Sequence, residues 1–217
     1  MPNNNSFAHL LAVCFPGQWG MLMSPDGRRD PRSLPWAMDN SMFGAWAKLG
    51  YAVGLKVEPF LEHWSGNTFH EFLDWGLRFH RPRFVVVPDV PGNSKATLER
   101  YKCWAGAVER RGYQPAMAVQ DGMTPADVPA GVVCFVGGST EWKWKNVERF
   151  AGECERVHVG RVNTARRVWQ CHRAGAESVD GSGMFRGDQK QLAGIIRYCK
   201  RIEHNLSEHD SEQLLLC

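Results

Sequence analysis

The sequence has no run of about eighteen or more apolar residues, which excludes a helical membrane span of ordinary length. It also lacks any Cys-x-x-Cys pair. Its seven cysteines, at 14, 103, 134, 154, 171, 199 and 217, are odd in number and scattered. That pattern argues against a disulfide framework and against the commoner zinc sites, and it predicts reduced thiols. Charge of one sign is missing as well: 26 Lys plus Arg face 23 Asp plus Glu, a net of +3. A polyanionic partner would therefore have to be met by a local basic cluster rather than by overall charge. No internal repeat or low-complexity tract is present, so a solenoid is excluded. The short apolar run near the N-terminus has no basic segment before it, and the expectation is an untargeted cytosolic protein.

What is present is a recurrence of short apolar, β-branched or aromatic runs, each followed by Gly, Pro or polar punctuation and then by a segment of helical spacing. Strands are predicted at 8–15, 84–88, 116–120, 132–136, 157–160 and 177–180, with further strands at 36–39 and 19–24. Helices are predicted over 68–80, 94–111, 141–154, 164–174 and 188–203, the third with Thr140 as N-cap. Continuous apolar strands alternating with helices imply a parallel sheet covered on both faces. The expectation is an α/β fold, a compact (β/α)8 TIM-type barrel with abbreviated N-terminal units, with an open doubly wound sheet as the alternative. A single catalytic domain over 1–204 and a C-terminal tail over 205–217 complete the reading.

Several predicted strands end on a polar residue beside Gly, Asn or Pro. These corners are Asp39-Asn40, Asp89 before Val90-Pro91-Gly92-Asn93, Gln120-Asp121-Gly122, Gly137-Gly138-Ser139, Gly160-Arg161 with Asn163, and Asp180-Gly181-Ser182-Gly183. Any one of them could simply be a turn. In a parallel barrel, however, all strand ends open on one face and would meet there. Two strand-end carboxylates on one cavity, Asp39 and Asp180, suit displacement at a sugar anomeric carbon, one attacking and the other handling the leaving group's proton. A covalent sugar intermediate would let a second base enter in place of water. Asp89, the Gln120 amide and the backbone of Gly137 or Gly138 could then read the amide edge of a purine-like base.

In motif order the chain resembles the tRNA-guanine transglycosylase superfamily, and more closely its short phage-associated branch, the DpdA-type deazaguanine DNA transglycosylases. Ala37-Met38-Asp39-Asn40-Ser41-Met42-Phe43 is similar to the family's Asp-Ser-Gly-Gly-Phe element, which implies a general acid/base role for Asp39. Val87-Pro88-Asp89 resembles the second aspartate motif and Ala118-Val119-Gln120-Asp121-Gly122 the Val-Gln-Gly element, both implying base recognition. Phe135-Val136-Gly137-Gly138-Ser139-Thr140-Glu141 is similar to the strand end whose amides meet the base carbonyl, and His158-Val159-Gly160-Arg161 to the next glycine-bearing strand. Ser178-Val179-Asp180-Gly181-Ser182 falls where the nucleophilic aspartate stands, with Arg186 placed like a phosphate-contacting arginine. The resemblance implies replacement of guanine in DNA by a 7-deazaguanine base such as preQ0, without a cofactor. It leaves open a homodimer, as tRNA relatives form, and a host cytosol as the location if the chain is phage-encoded.

Two departures stand out. Ser41-Met42 replaces the Gly-Gly pair, so the pocket beside Asp39 must differ in shape. The closely spaced cysteines of the zinc element that follows the nucleophile in tRNA enzymes are absent; Cys199, His204, His209 and Cys217 match no common zinc spacing, and no metal is expected. Without that element, DNA is favoured over tRNA. A tRNA-directed enzyme and a non-catalytic nucleic-acid-binding barrel subunit are the alternatives. Asn40 and Arg161 are assigned to substrate binding, and Arg28, Arg29, Lys143 and Arg186 to a basic rim for phosphates. Arg166, Arg167 and Lys190 read equally well as ordinary solvated residues. The tryptophans read mainly as core, and His158 and His172 as packed or surface groups without a catalytic assignment.

Overall fold

A computed structural model describes residues 5–48, 64–183 and 189–205. Its centre is a seven-stranded sheet, parallel throughout, in the sequential order β1 to β7. The strands are β1 (Met21–Met23), β2 (Trp36–Met38), β3 (Val85–Val86), β4 (Pro115–Val119), β5 (Val133–Val136), β6 (Val157–Val159) and β7 (Ser178–Val179). The helices are α1 (Asn5–Cys14), α2 (Met42–Lys48), α3 (Gly66–Gly76), α4 (Ser94–Glu109), α5 (Thr140–Glu153), α6 (Ala165–Ala174) and α7 (Gln189–Glu203). Strand order without reversal is the winding of a (β/α) barrel, and it rules out the doubly wound alternative, whose order must turn back on itself.

Period-two alternation divides the strand residues into two layers. Trp36, Met38, Val85, Val87, Met117, Val119, Cys134, Val136, Val157 and Val159 belong to the large core beneath the helices. Ala37, Phe84, Val86, Ala116, Ala118 and Val133 form a second cluster on the opposite, concave face, with Leu22 and Phe135 packed against it. Three alanines on that inner face leave room that larger side chains would fill. The helices are fixed by local chemistry: Asn93 accepts a hydrogen bond from the backbone N–H of Ala96 at 3.0 Å to cap α4, and Gly175, at φ 90°, ends α6 in the left-handed conformation open to glycine.

Four expectations are corrected. The segment 8–15 is helix α1, not a strand, because its burial is four residues apart: Leu11 and Phe15 are buried while Leu10 and Val13 are 55% and 77% exposed. A short apolar run carries no period of its own long enough to decide. The sheet consequently has seven strands rather than eight, and among the described residues β1 and β7 do not pair. The N-terminal segment reaches the last helix instead, where Gln18 Nε2 donates to Cys199 O at 3.2 Å. The N-cap of α5 is Ser139, whose Oγ accepts from Trp142 N, not Thr140. Finally, α2 directly follows the Asp39 corner, where no helix is predicted. Residues 206–217, nearly all of the expected tail, lie outside the described residues. Among the described residues no helix is long and apolar enough to cross a membrane.

Candidate active site

All six polar corners contribute to one cavity of about 210 Å³ over the C-terminal ends of the strands. Its floor is the inner-face layer, Leu22, Val86, Ala118 and Phe135. Its walls carry Asp39, Asn40, Asp89, Gln120, Gly137, Gly138, Arg161 and Asp180, so the structure brings together eight of the twelve residues singled out from sequence.

On one wall the carboxyls are held by carboxamides and backbone N–H groups. Asp39 follows β2, and its Oδ2 accepts from the backbone of Ser41 at 3.3 Å. Burial, and then the neighbouring charges of Asp180 and Asp89, push its pKa up to about 7. Asp89 is buried and held by two carboxamides: Asn40 Nδ2 donates to Oδ1 at 2.8 Å and Gln120 Nε2 to Oδ2 at 2.7 Å. Burial raises its pKa to about 6, against the lowering effect of the Asn40 hydrogen bond. Asn40 commits its amide wholly to the protein, since Nδ2 also donates to Val87 O at 2.9 Å and Oδ1 accepts from Met42 N at 2.8 Å. It is therefore a clamp on Asp89 more than a ligand-facing group. Gln120 Oε1 accepts from Gly92 N at 3.1 Å, which leaves one of its N–H groups to face the cavity.

The other wall is built by β6 and β7. The backbone N–H of Arg161 lies 3.3 Å from both oxygens of Asp180. The Arg161 guanidinium donates to Gly138 O and lies 4.6 Å from the centre of the Phe43 ring, so it spans the cavity rim from β6 to α2. Gly160 is required here, because a Cβ would stand 2.7 Å from the Phe135 ring and 3.3 Å from Asp180 Oδ1. Ser41 and Arg161 both hold positive φ, 62° and 57°, on the two sides of the cavity. Such strained non-glycine backbone persists where surroundings over-determine it, and it clusters at functional sites.

Some assigned residues lie elsewhere. Lys143 is 2% exposed and its ammonium donates to Gly160 O at 2.5 Å, so it is not part of a basic rim. Burial and the nearby Arg161 pull its pKa down to about 8. Arg28 and Arg29 do not line the cavity; they sit on the loop leaving the C-terminal end of β1, with Arg28 exposed. Arg186 falls outside the described residues. Of the candidate zinc residues, His209 and Cys217 also fall outside them, and among the described residues no three His, Cys, Asp or Glu side chains gather as a metal site would require.

Sequence reasoning missed Phe43, Trp46 and Phe135, which line the cavity, and His158, which touches Asp180 directly. Strand parity was the available signal for His158, because it shares the inward-facing register of Gly160 and pairs with Ser178 across to β7.

No family model and no curated protein sequence matches the chain. Among solved structures, it is similar to tryptophan synthase from M. tuberculosis, at 11% identity and a TM-score of 0.45, covering 94% of this chain and 97% of that one. It is also similar to 3-hexulose-6-phosphate synthase from Salmonella typhimurium, at 11% identity and a TM-score of 0.45, covering 84% and 99% respectively.

Proposed function

We propose that this chain is an enzyme, a base-exchange transglycosylase of the deazaguanine type acting on DNA. Asp180 attacks C1′ of the target nucleotide, and Asp39 gives a proton to the departing guanine and removes one from the incoming 7-deazaguanine base. The observation that carries this reading is that Asp39 and Asp180, from opposite sides of the sheet, line one small cavity with different surroundings. A carboxyl poised at about 7 is suited to exchanging protons with a base at neutral pH. A cavity of about 210 Å³ has room for one flat ring system and leaves the sugar at its mouth. Asp89, the remaining Gln120 N–H and the backbone at Gly137 and Gly138 offer both acceptors and donors to an amide edge.

A further support comes from the turn after Asp39. Ser41 takes φ 62°, a conformation glycine adopts freely, at the place of the first glycine in the family element it resembles. The target nucleotide must leave the duplex stack to reach such a cavity. The test is incorporation of a labelled deazaguanine base into DNA, with tRNA as the parallel arm. Wild-type protein is expected to label DNA and Asp180→Ala to abolish labelling; an equal rate from Asp180→Ala overturns the assignment, and labelling of tRNA alone redirects it to the tRNA-directed alternative.

A further inference from the structure

His158 is buried on the inner face, at 4% exposure, with its ring stacked 4.8 Å from Phe135 and tilted against Phe84 at 5.0 Å. Its two nitrogens have separate partners. Nδ1 lies 2.8 Å from Ser178 Oγ and Nε2 lies 3.1 Å from Asp180 Oδ1. Asp180 follows β7 two residues after Ser178, its backbone N–H still bonded to Val159 O at 3.1 Å, and His158 is the register partner of Ser178, so the three stand in a row fixed by the sheet pairing. Ser178 is not among the cavity residues, which excludes it as a nucleophile on a ligand there. The row is an orienting device with its working end at Asp180.

We infer that His158 is the positioning residue for Asp180, a role that rests on the glycosyl-transfer reading above: held as the Nε2–H tautomer by the acceptor-only carboxylate and seated at Nδ1 by Ser178, it ties down Oδ1 and leaves Oδ2 as the attacking oxygen. A neutral imidazole has one donor and one acceptor, and an ionised carboxylate only accepts. The neutral ring therefore satisfies both contacts in a single way, with Nε2–H donating to Asp180 and the Ser178 hydroxyl donating to Nδ1. When Oδ2 bonds to C1′, the bond from C1′ to the base nitrogen breaks and its electron pair leaves with the base. Oδ1 becomes the carbonyl oxygen of the ester and still accepts from Nε2–H. In the return step the incoming base nitrogen bonds to C1′, the C1′–Oδ2 pair returns to the carboxylate, and the donor meets growing negative charge. His158 thus assists breakdown of the intermediate more than its formation.

Two measurements test this. Long-range ¹⁵N correlation spectra of the imidazole need no substrate. The free protein is expected to show His158 as the Nε2–H tautomer, Ser178→Ala to keep it and Asp180→Ala to show a mixture; an Nδ1–H or doubly protonated ring in the unaltered protein overturns the proposal even if base exchange is confirmed. In the exchange assay, His158→Leu is expected to lower kcat by about 100-fold with little change in KM, while the fraction of protein trapped as covalent DNA adduct rises. His158→Gln, which keeps an N–H donor, is expected to recover most of the rate. Folded His158→Leu whose rate and adduct fraction fall together, or a Gln variant no faster than the Leu variant, removes the positioning role. Absence of exchange by the unaltered protein sinks the functional reading alone, since the tautomer result stands independently.

Discussion

The two walls of the cavity present a carboxyl each, in opposite settings. Around Asp39 and Asp89 the polar partners are carboxamides, backbone N–H groups and other acids, and burial drives both pKa values upward. Around Asp180 stand an imidazole, the Arg161 backbone N–H and, one layer behind, the Lys143 ammonium on Gly160 O. The same functional group is thus placed once where its neutral form is favoured and once where donors converge on its oxygens. Double displacement at a sugar carbon needs that division of labour, an acid on one side and a nucleophile on the other.

The largest effect should come from removing the donor-rich wall's carboxylate. Asp180→Ala is expected to lower base exchange by at least about 10⁴-fold, read by label incorporation, with DNA affinity little changed. Asp39→Asn should break the opposite wall in a different manner. Exchange falls by about 10²- to 10⁴-fold, the range of general acid–base contributions. Stability, however, should rise. An acid whose folded pKa lies above its unfolded value makes the native chain bind more protons between those values, so stability declines as pH climbs from about 4 to 7. The amide removes that loss, and thermal melts at pH 8 should show a gain of about 2–4 kcal/mol that shrinks toward pH 4. With the unaltered protein, kcat/KM for DNA should fall as pH rises past about 7, where Asp39 surrenders its proton.

Gly160→Ala probes the seam between inner layer and donor-rich wall. Its Cβ would press on Phe135 at 2.7 Å, and overpacking of this kind costs about 1–3 kcal/mol, measurable by denaturant melts. An unchanged midpoint would mean that Phe135 swings away without cost.

The acid-favouring wall was readable from sequence because strand ends announce themselves: Asp39 and Gln120 each close an apolar run in the inner-face register of Ala37 and Ala118, and Asp89 closes its run one residue past that register. The donor-rich wall was only half readable. Asp180 stood out by the same rule, but His158 looked like an isolated core histidine until β6 and β7 were in register. Lys143 was misplaced although its spacing carried the answer, since Lys143, Val147 and Phe150 lie on one buried helical stripe. Helix α1 was misread because eight apolar-rich residues do not distinguish a period of two from one of 3.6.

The smallest effect separates buried from exposed cations. A lysine contributes to the salt dependence of DNA binding only if its ammonium replaces condensed counterions on a phosphate, and Lys143, enclosed and bonded to Gly160 O, has no phosphate within reach. Lys143→Met should therefore leave the slope of log K against log salt unchanged while lowering the thermal midpoint, because Gly160 O loses its donor. Arg28→Ala, on the exposed loop after β1, should reduce that slope by about 1 without touching stability. A slope altered by Lys143→Met would mean that α5 moves on DNA binding to expose its first turn, and that the donor-rich wall is assembled only in the absence of nucleic acid.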